Sequence, residues 1–166
     1  MDIRIGNGYD VHRFAEGRDL TLGGIKIEYP LGLLGHSDAD VLVHAIIDSL
    51  LGASSLGDIG KHFPDTDISY KDTDSIILLE TVYKMIISLG ISIINIDSVV
   101  ICETPKISPY IEKMKNRISE ALGCLELNRI GIKGKTTEKL GFTGRGEGIA
   151  VYTVALVDVS ARKLSI

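Results

Sequence analysis

The chain has 166 residues, 45% hydrophobic and 24% charged, which is enough for one domain with its own core and sets the expectation of a single domain over residues 1–166. Its 18 Lys plus Arg against 22 Asp plus Glu leave a net charge of −4, and no basic run is present that could track a nucleic-acid backbone. The sequence contains no apolar stretch of membrane-spanning length and no N-terminal apolar leader, so neither nucleic acid nor a membrane is an expected partner. The chain reads as cytoplasmic, as would a mature organellar protein stripped of its transit peptide. Cys102 and Cys124 lack metal or redox spacing and read as packing residues of a reducing compartment.

Taken in order, Ile3 and Ile5 alternate with polar residues and lead through Gly6 and Gly8 into Tyr9-Asp10-Val11-His12, the pattern of a strand. Asp10 and His12, two apart, fall on one face of it. Leu20, Leu22, Ile25 and Ile27 flank Gly23-Gly24 as a hairpin. Residues 38–51 form a helix apolar around nearly its whole circumference, and hence buried. Residues 54–74 read as a long loop, of the length that is usually functional or mobile. A second helix runs from about Asp74 to Leu89 and stops at Gly90; a third spans residues 109–122 and stops at Gly123. Residues 91–102 are so rich in β-branched side chains that a strand buried on both faces is expected. Residues 130–135 form a short strand, residues 140–148 a glycine-rich loop able to cradle an anion, and residues 149–159 a strand apolar on both faces. The whole is an α+β arrangement, an α/β sandwich in which a mixed sheet carries three helices on one face. Three helices cover one face only, so the other face needs a second subunit.

The chemistry concentrates in residues 35–67. Asp40, His44 and Asp48 stand four apart on the buried helix and form one stripe, and buried polar groups must be hydrogen-bonded, paired or bound to a metal. One reading is an internally satisfied Asp-His-Asp ladder. The other joins His44 to Asp10 and His12, giving a nitrogen and oxygen ligand set that suits zinc and leaves the fourth tetrahedral position open. Carboxylates at Asp58, Asp65 and Asp67 serve as turn residues or as acceptors for substrate hydroxyls.

The ordered motifs GYDVHRF, GHSDAD, LVHAIID, LGDIGKHFPDTD, ETPK and KTTEKLGFTGRGEGIA closely resemble those of the 2-C-methyl-D-erythritol 2,4-cyclodiphosphate synthase family, over essentially the whole chain. The resemblance implies conversion of 4-diphosphocytidyl-2-C-methyl-D-erythritol 2-phosphate into the cyclodiphosphate and CMP, on the non-mevalonate route to isoprenoids, by a homotrimer with active sites between subunits. It implies Asp10, His12 and His44 as zinc ligands and Glu138 as ligand of a second divalent ion, magnesium or manganese. It implies that His36 and Thr136 steady the reacting phosphates, and that Val11 and Ser37 lie with the metal ligands at the substrate. Asp58, Ile59 and Gly60, with Phe63, Pro64, Asp65, Thr66 and Asp67, correspond to the loop on the methylerythritol portion. Cys102, Glu103, Thr104, Pro105, Lys106, Ile107 and Ser108, with Lys135 and Thr137, correspond to a cytidine pocket contributed by a neighbouring subunit. Phe142 and Arg145 match further substrate or central-cavity positions. The chain departs from the family pattern at Lys135, where Thr is frequent, and at Cys102, where a small residue such as Ala is common.

In the implied reaction an anionic phosphate attacks an anionic diphosphate, so cations must offset the repulsion and fix the oxygens in line, while no strong general base is required. Asp48, one turn from His44, either orients that ligand or meets a substrate hydroxyl. The competing functions are a zinc-dependent phosphohydrolase of a nucleotide-linked substrate and a non-catalytic trimeric binding protein.

Overall fold

The computed structural model describes residues 2–64, 66–67 and 73–162. The chain runs β1 (Ile3–Ala15), β2 (Leu20–Leu22), β3 (Ile25–Ile27), β4 (Gly32–Leu33), α1 (Val41–Ala53), α2 (Ile59–His62), α3 (Ser75–Ser88), β5 (Ser92–Ile101), α4 (Ile111–Ala121), β6 (Ile130–Lys135), α5 (Gly141–Gly144) and β7 (Gly148–Asp158). Among the described residues, five strands form one sheet in the order β4-β1-β7-β5-β6, and β2 and β3 form a separate hairpin. Only β5 and β6 pair in parallel, through the crossover that α4 supplies; β1 and β7 are antiparallel over eleven residues each, from Ile3 against Asp158 to Arg13 against Gly148. The mixed α+β arrangement is the one anticipated, with three longer helices and two four-residue ones.

The helix layer lies on one face. Helix α1 packs on β1 and β7, α4 packs on β6, and α3 packs against α1 and α4. Val41, Leu42, Ala45, Ile46, Ile47, Leu50 and Leu51 of α1 are all fully buried, as a helix apolar all round requires. Each of the Val, Leu and Ile side chains contributes roughly 1.5–3 kcal/mol relative to exposure. Ile76, Leu79, Val82 and Ile86 of α3 are buried at the three-or-four spacing of a helical stripe, with Ser75 and Leu78 buried beside them.

Two glycines set how closely α1 sits. A Cβ on Gly6 would lie 2.1 Å from the Ser49 carbonyl oxygen, and one on Gly8 only 2.0 Å from that of Ala45. Here strand and helix touch backbone to backbone, and His44, next to Ala45, arrives beside Asp10, two residues past Gly8.

Several boundaries differ from the sequence reading. Helix α1 begins at Val41 rather than Asp38, because Ala39 takes a left-handed φ of 58° and Asp40 is the N-cap. The Asp40 side chain accepts from the backbone N–H groups of Leu42 and Val43 at 3.2 and 3.1 Å and from those of Gly23 and Gly24 at 2.9 and 2.6 Å. It therefore ties the hairpin turn to the helix and takes no part in an Asp-His-Asp ladder. The long loop is broken by α2, and the third helix opens as a 3-10 turn, Ser108–Tyr110, before α4. Strand β5 is buried on its helix face alone: Ile93, Ile96, Ser98 and Val100 are covered, while Asn95 and Asp97 stay in contact with solvent. The open face carries Ile5 (70% exposed), Tyr9 (53%) and Tyr152 (44%). Among the described residues, no helix is long and apolar enough to cross a membrane.

The contact at Gly8 has a measurable consequence. Gly8→Ala has no space for its methyl group and should destabilise the fold by about 3 kcal/mol or more. Gly52→Ala, on the exposed side of α1 with nothing closer than 3.8 Å, should instead stabilise it by about 0.5–1 kcal/mol. Urea unfolding of the two variants checks the opposite signs.

Candidate metal centre and nucleotide pocket

The half-turn period of β1 places Asp10 and His12 on the face that α1 covers, and α1 delivers His44 from above. Asp10 Oδ2 lies 3.1 Å from His12 Nε2 and 3.1 Å from His44 Nδ1, and the two nitrogens are 3.2 Å apart. Three donor atoms thus form a nearly equilateral triangle. In a tetrahedral site with metal–ligand distances of about 2.0–2.1 Å, neighbouring donors stand about 3.3–3.4 Å apart, so one face of such a site matches this triangle. The His12 Nδ1–H donates to the Leu34 carbonyl at 2.8 Å, which leaves its Nε2 with a lone pair directed at the triangle. Two imidazole nitrogens and a carboxylate brought to one point repel unless a cation or proton lies between them. Among the described residues this is the one group of three such side chains placed to hold a metal ion.

Burial is the largest influence on Asp10 and raises its pKa. When His12 and His44 are protonated, their hydrogen bonds and charge outweigh it and hold the carboxyl well below the usual carboxylate range. For His12, burial pulls downward, but the hydrogen bond and charge of Asp10, the Leu34 carbonyl and the charge of Asp40 together raise it above its ordinary 6.5.

The triad floors a cleft of about 270 Å³ also lined by Gly35, His36, Ser37, Asp48, Ile59, Gly60, Phe63 and Leu78. His36, Ser37, Ile59, Gly60 and Phe63, which the resemblance implies as substrate residues, all line this cleft. Asp48 does not hydrogen-bond His44: its Oδ1 accepts the Ile59 N–H at 2.7 Å and so ties α1 to the start of α2. Burial, with the charges of Asp58 and Asp10, raises the Asp48 pKa against that bond. Asp58 caps α2 by accepting the Lys61 N–H at 2.9 Å and does not line the cleft. Val11 stands on the opposite face of β1 from its neighbours Asp10 and His12. Pro64, Thr66 and Asp67 lie beyond the cleft wall, and Asp65 falls outside the described residues.

A second pocket, of about 210 Å³, is lined by Cys102, Glu103, Pro105, Lys106, Ile107, Ser108, Gly134, Lys135 and Thr136. The Cys102 thiol, pushed up to about 11 by burial and by Glu103, is inert packing here. Thr104 instead meets Tyr29, hydroxyl to hydroxyl, at 2.8 Å. Glu138 and Lys139 both adopt left-handed backbone, φ 52° and 63°, a conformation that costs non-glycine residues about 1–3 kcal/mol each. The Glu103 Oε1 secures that turn by accepting the N–H groups of Thr137 at 3.0 Å and Lys139 at 3.1 Å. Glu138 itself is exposed and accepts the Thr136 hydroxyl at 2.6 Å. Phe142 and Arg145 belong to the α5 turn, where Arg145 pairs with Glu147 at 2.6 Å; neither lines either pocket.

The two pockets occupy opposite edges of the sheet. Val11 registers with Ala150, Ala150 with Ile101 and Ile101 with Lys135, so three strand spacings, about 14 Å, separate the β1 and β6 sides. Each pocket is smaller than the roughly 300–1,000 Å³ of ordinary small-molecule sites.

The structure also brings in residues that sequence reasoning missed. Gly35, Leu78 and Gly134 line the pockets, and Ser75 and Asp38 stand behind His44. Ser75 Oγ lies 2.9 Å from His44 Nε2, and Ser75 donates both its hydroxyl and its N–H to Asp38. The available signal at Ser75 was that of a helix start, and it pointed to nothing beyond capping.

Fold and metal-capable cleft together define the class: the chain belongs to the YgbB family, whose sequence profile it matches over residues 3–158. Relatives from Ectopseudomonas mendocina and Clostridium novyi, each named 2-C-methyl-D-erythritol 2,4-cyclodiphosphate synthase, are 55% and 56% identical. The matches cover 93% and 94% of this chain and 98% and 99% of theirs. The bifunctional IspDF of Campylobacter jejuni superposes with a TM-score of 0.90 at 44% identity, over 94% of this chain and 42% of that longer one. IspF of Plasmodium falciparum, solved as a CDP complex, superposes with a TM-score of 0.82 at 38% identity, over 94% of this chain and 96% of its own.

The raised His12 pKa gives the centre a pH signature. A metal needs the Nε2 lone pair, so binding competes with a proton that His12 holds to higher pH than a free imidazole does. Cobalt(II), added as a spectroscopic probe, should bind with proton release and lose about tenfold or more in affinity from pH 8 to pH 6. His44→Ala should abolish its tetrahedral absorption, and visible titrations at each pH check both.

Proposed function

We propose that the chain converts 4-diphosphocytidyl-2-C-methyl-D-erythritol 2-phosphate into 2-C-methyl-D-erythritol 2,4-cyclodiphosphate and CMP. In this reading zinc is held by Asp10, His12 and His44, and magnesium or manganese by Glu138. The observation that carries it is the triangle of donor atoms at the floor of a cleft in a chain whose relatives bear that enzyme's name.

The 2-phosphate of the substrate attacks the β-phosphorus of its own diphosphate. One new P–O bond forms, the bond from the β-phosphorus to the bridging oxygen breaks, and CMP departs with that oxygen. Bound at the triad, a divalent cation supplies Lewis-acid charge that offsets the repulsion between the phosphates. The chain's own residues place the reactants. His36 and Ser37, on the cleft wall, offer donors to phosphate oxygens; Ile59 and Gly60 present backbone to the methylerythritol hydroxyls; Phe63 and Leu78 supply the apolar wall that its methyl group needs. Asp48 keeps the Ile59 and Gly60 segment against α1, so cleft and loop are positioned together. Lys106 and Lys135 bring positive charge to the second pocket, which takes the cytidine in this reading, and a relative from Plasmodium falciparum solved as a CDP complex supports a cytidine nucleotide as ligand. Thr136, held to Glu138, belongs at the phosphates between the two. Because the substrate is its own nucleophile, orientation and charge do the catalysis.

The separation of the two pockets across the sheet supports a site built from two subunits, and the apolar side chains on the open sheet face support a homotrimer around a closed axis. Asp97 and Lys133, an ion pair on that face, would then lie at the interface. Ile5→Asp should turn a trimer into monomers in light scattering and lower turnover, because each site would lose its neighbour's half. A monomeric unsubstituted protein at micromolar concentration would refute the trimer.

Phosphorus NMR in oxygen-18 water tests the chemistry. Cyclisation yields cyclodiphosphate and CMP without label, whereas a phosphohydrolase introduces label into a product and a binding protein yields neither. Glu138→Gln should keep its zinc and lose about a hundredfold or more in turnover, the range seen when a group stabilising transition-state charge is removed.

A further inference from the structure

We propose that Ser75 and Asp38 are positioning residues that set the tautomer of His44 and aim its Nδ1 lone pair into the metal centre. The inference rests on the metal role of Asp10, His12 and His44 but concerns two side chains outside that set.

Hydrogen-bond polarity relates these side chains to the ring. A carboxylate only accepts. Asp38 Oδ2 accepts the Ser75 N–H at 3.1 Å, and Oδ1 accepts the Asp40 N–H at 3.2 Å together with the Ser75 hydroxyl. The single proton on Ser75 Oγ is thereby committed to Asp38, so that oxygen can act toward His44 only as an acceptor. His44 Nε2 stands 2.9 Å from it and must carry the ring proton. With Nε2 protonated, a neutral imidazole has its lone pair on Nδ1, the atom 3.1 Å from Asp10 Oδ2 and 3.2 Å from His12 Nε2. Asp10, also an acceptor only, competes for the ring proton from the Nδ1 side, and the shorter contact to the Ser75 and Asp38 pair decides the neutral tautomer against it. Ser37 Oγ also lies 3.2 Å from that Nε2 and accepts the Ala39 N–H at 3.2 Å, and its own proton has Ser75 Oγ within 3.5 Å.

Burial makes the chain consequential. Ser75 is fully buried and His44 is 12% exposed in its side chain, so water does not readily replace either partner. A ring free to turn over or to shift its proton would present Nδ1–H to the cation for part of the time, and affinity would fall in proportion to the population of the competent form. His12 already has a carbonyl partner in Leu34, which also only accepts. The two ligand histidines are thus set by different means, one by backbone and one by a serine and a carboxylate from the start of α3 and the turn before α1.

Three proteins are compared: the unsubstituted chain, Ser75→Ala and Asp38→Asn. In Asp38→Asn the amide must turn its NH₂ toward a group that itself donates, which reverses or breaks the polarity while preserving shape. Nitrogen-15 NMR of the metal-free proteins at alkaline pH reads the tautomer, and competition with a chromophoric chelator reads zinc affinity. In the unsubstituted protein His44 should be the Nε2–H form. Both variants should lose that preference and bind zinc about 10- to 100-fold more weakly, with His12 resonances nearly unchanged and the proteins still folded. Ser75→Thr, which restores the hydroxyl, should recover most of the affinity. If Ser75→Ala does not fold, Asp38→Asn carries both readouts. The proposal is overturned by an Nδ1–H tautomer in the unsubstituted protein, or by zinc affinity within twofold of it in a folded variant. An unsubstituted protein that binds no zinc overturns the metal reading as well.

Discussion

At Gly6 and Gly8 the backbone of a β-strand meets the backbone of a buried helix, and the rest of the active cleft depends on that contact. Ordinary side chains keep a helix about 10 Å from a sheet. Removing two Cβ atoms lets α1 settle on β1 so closely that a ring on the helix reaches two side chains on the strand. His44 then faces Asp10 and His12 at hydrogen-bond distance with no loop intervening. Ligands on two packed regular elements are fixed by the same forces that hold the core, so the centre needs little further ordering.

The carboxylates around this contact divide by what they accept. Asp40 takes four backbone N–H groups and joins the Gly23-Gly24 turn to the head of α1. Burial and the neighbouring charge of Asp38 push its carboxyl up, against those four donors. Asp48 takes the N–H of Ile59, and Glu103 takes those of Thr137 and Lys139. These three side chains build the walls. Asp10 alone of the buried acids faces two imidazoles, and those partners keep it ionised despite burial. A negative side chain in a phosphate enzyme is unfavourable unless something occupies its charge, and here backbone donors occupy most of them.

The sheet has an uneven surface. Its helix side is fully packed, while its other side mixes Ile5, Tyr9 and Tyr152 with Asn95, Asp97 and Lys133. An exposed sheet of this kind fits an interface with polar contacts among the apolar ones better than it fits a continuous greasy core. The metal cleft and the pocket at Lys106 and Lys135 lie three strand spacings apart, so the proposed reaction and the proposed subunit assembly stand or fall together.

Much of this was legible from residue order, because the signals are local. Alternation put Asp10 and His12 on one strand face, glycines marked the hairpin and helix ends, and the apolar circumference of residues 41–51 announced a buried helix. The motifs surrounding these residues were enough to recognise the family. Other features required the packed structure. The stripe Asp40, His44, Asp48 has the spacing of a single functional row, yet the three side chains meet a hairpin turn, a metal triad and a loop start respectively. Nothing within a few residues encodes that difference. The partner of His44 is Ser75, 31 positions away, and the partner of Ser75 is Asp38, 37 positions back. Period and capping determine which side of an element a residue occupies. Which atom it finds there depends on where distant segments come to rest, and that was decided only when α1, α3 and the sheet packed together.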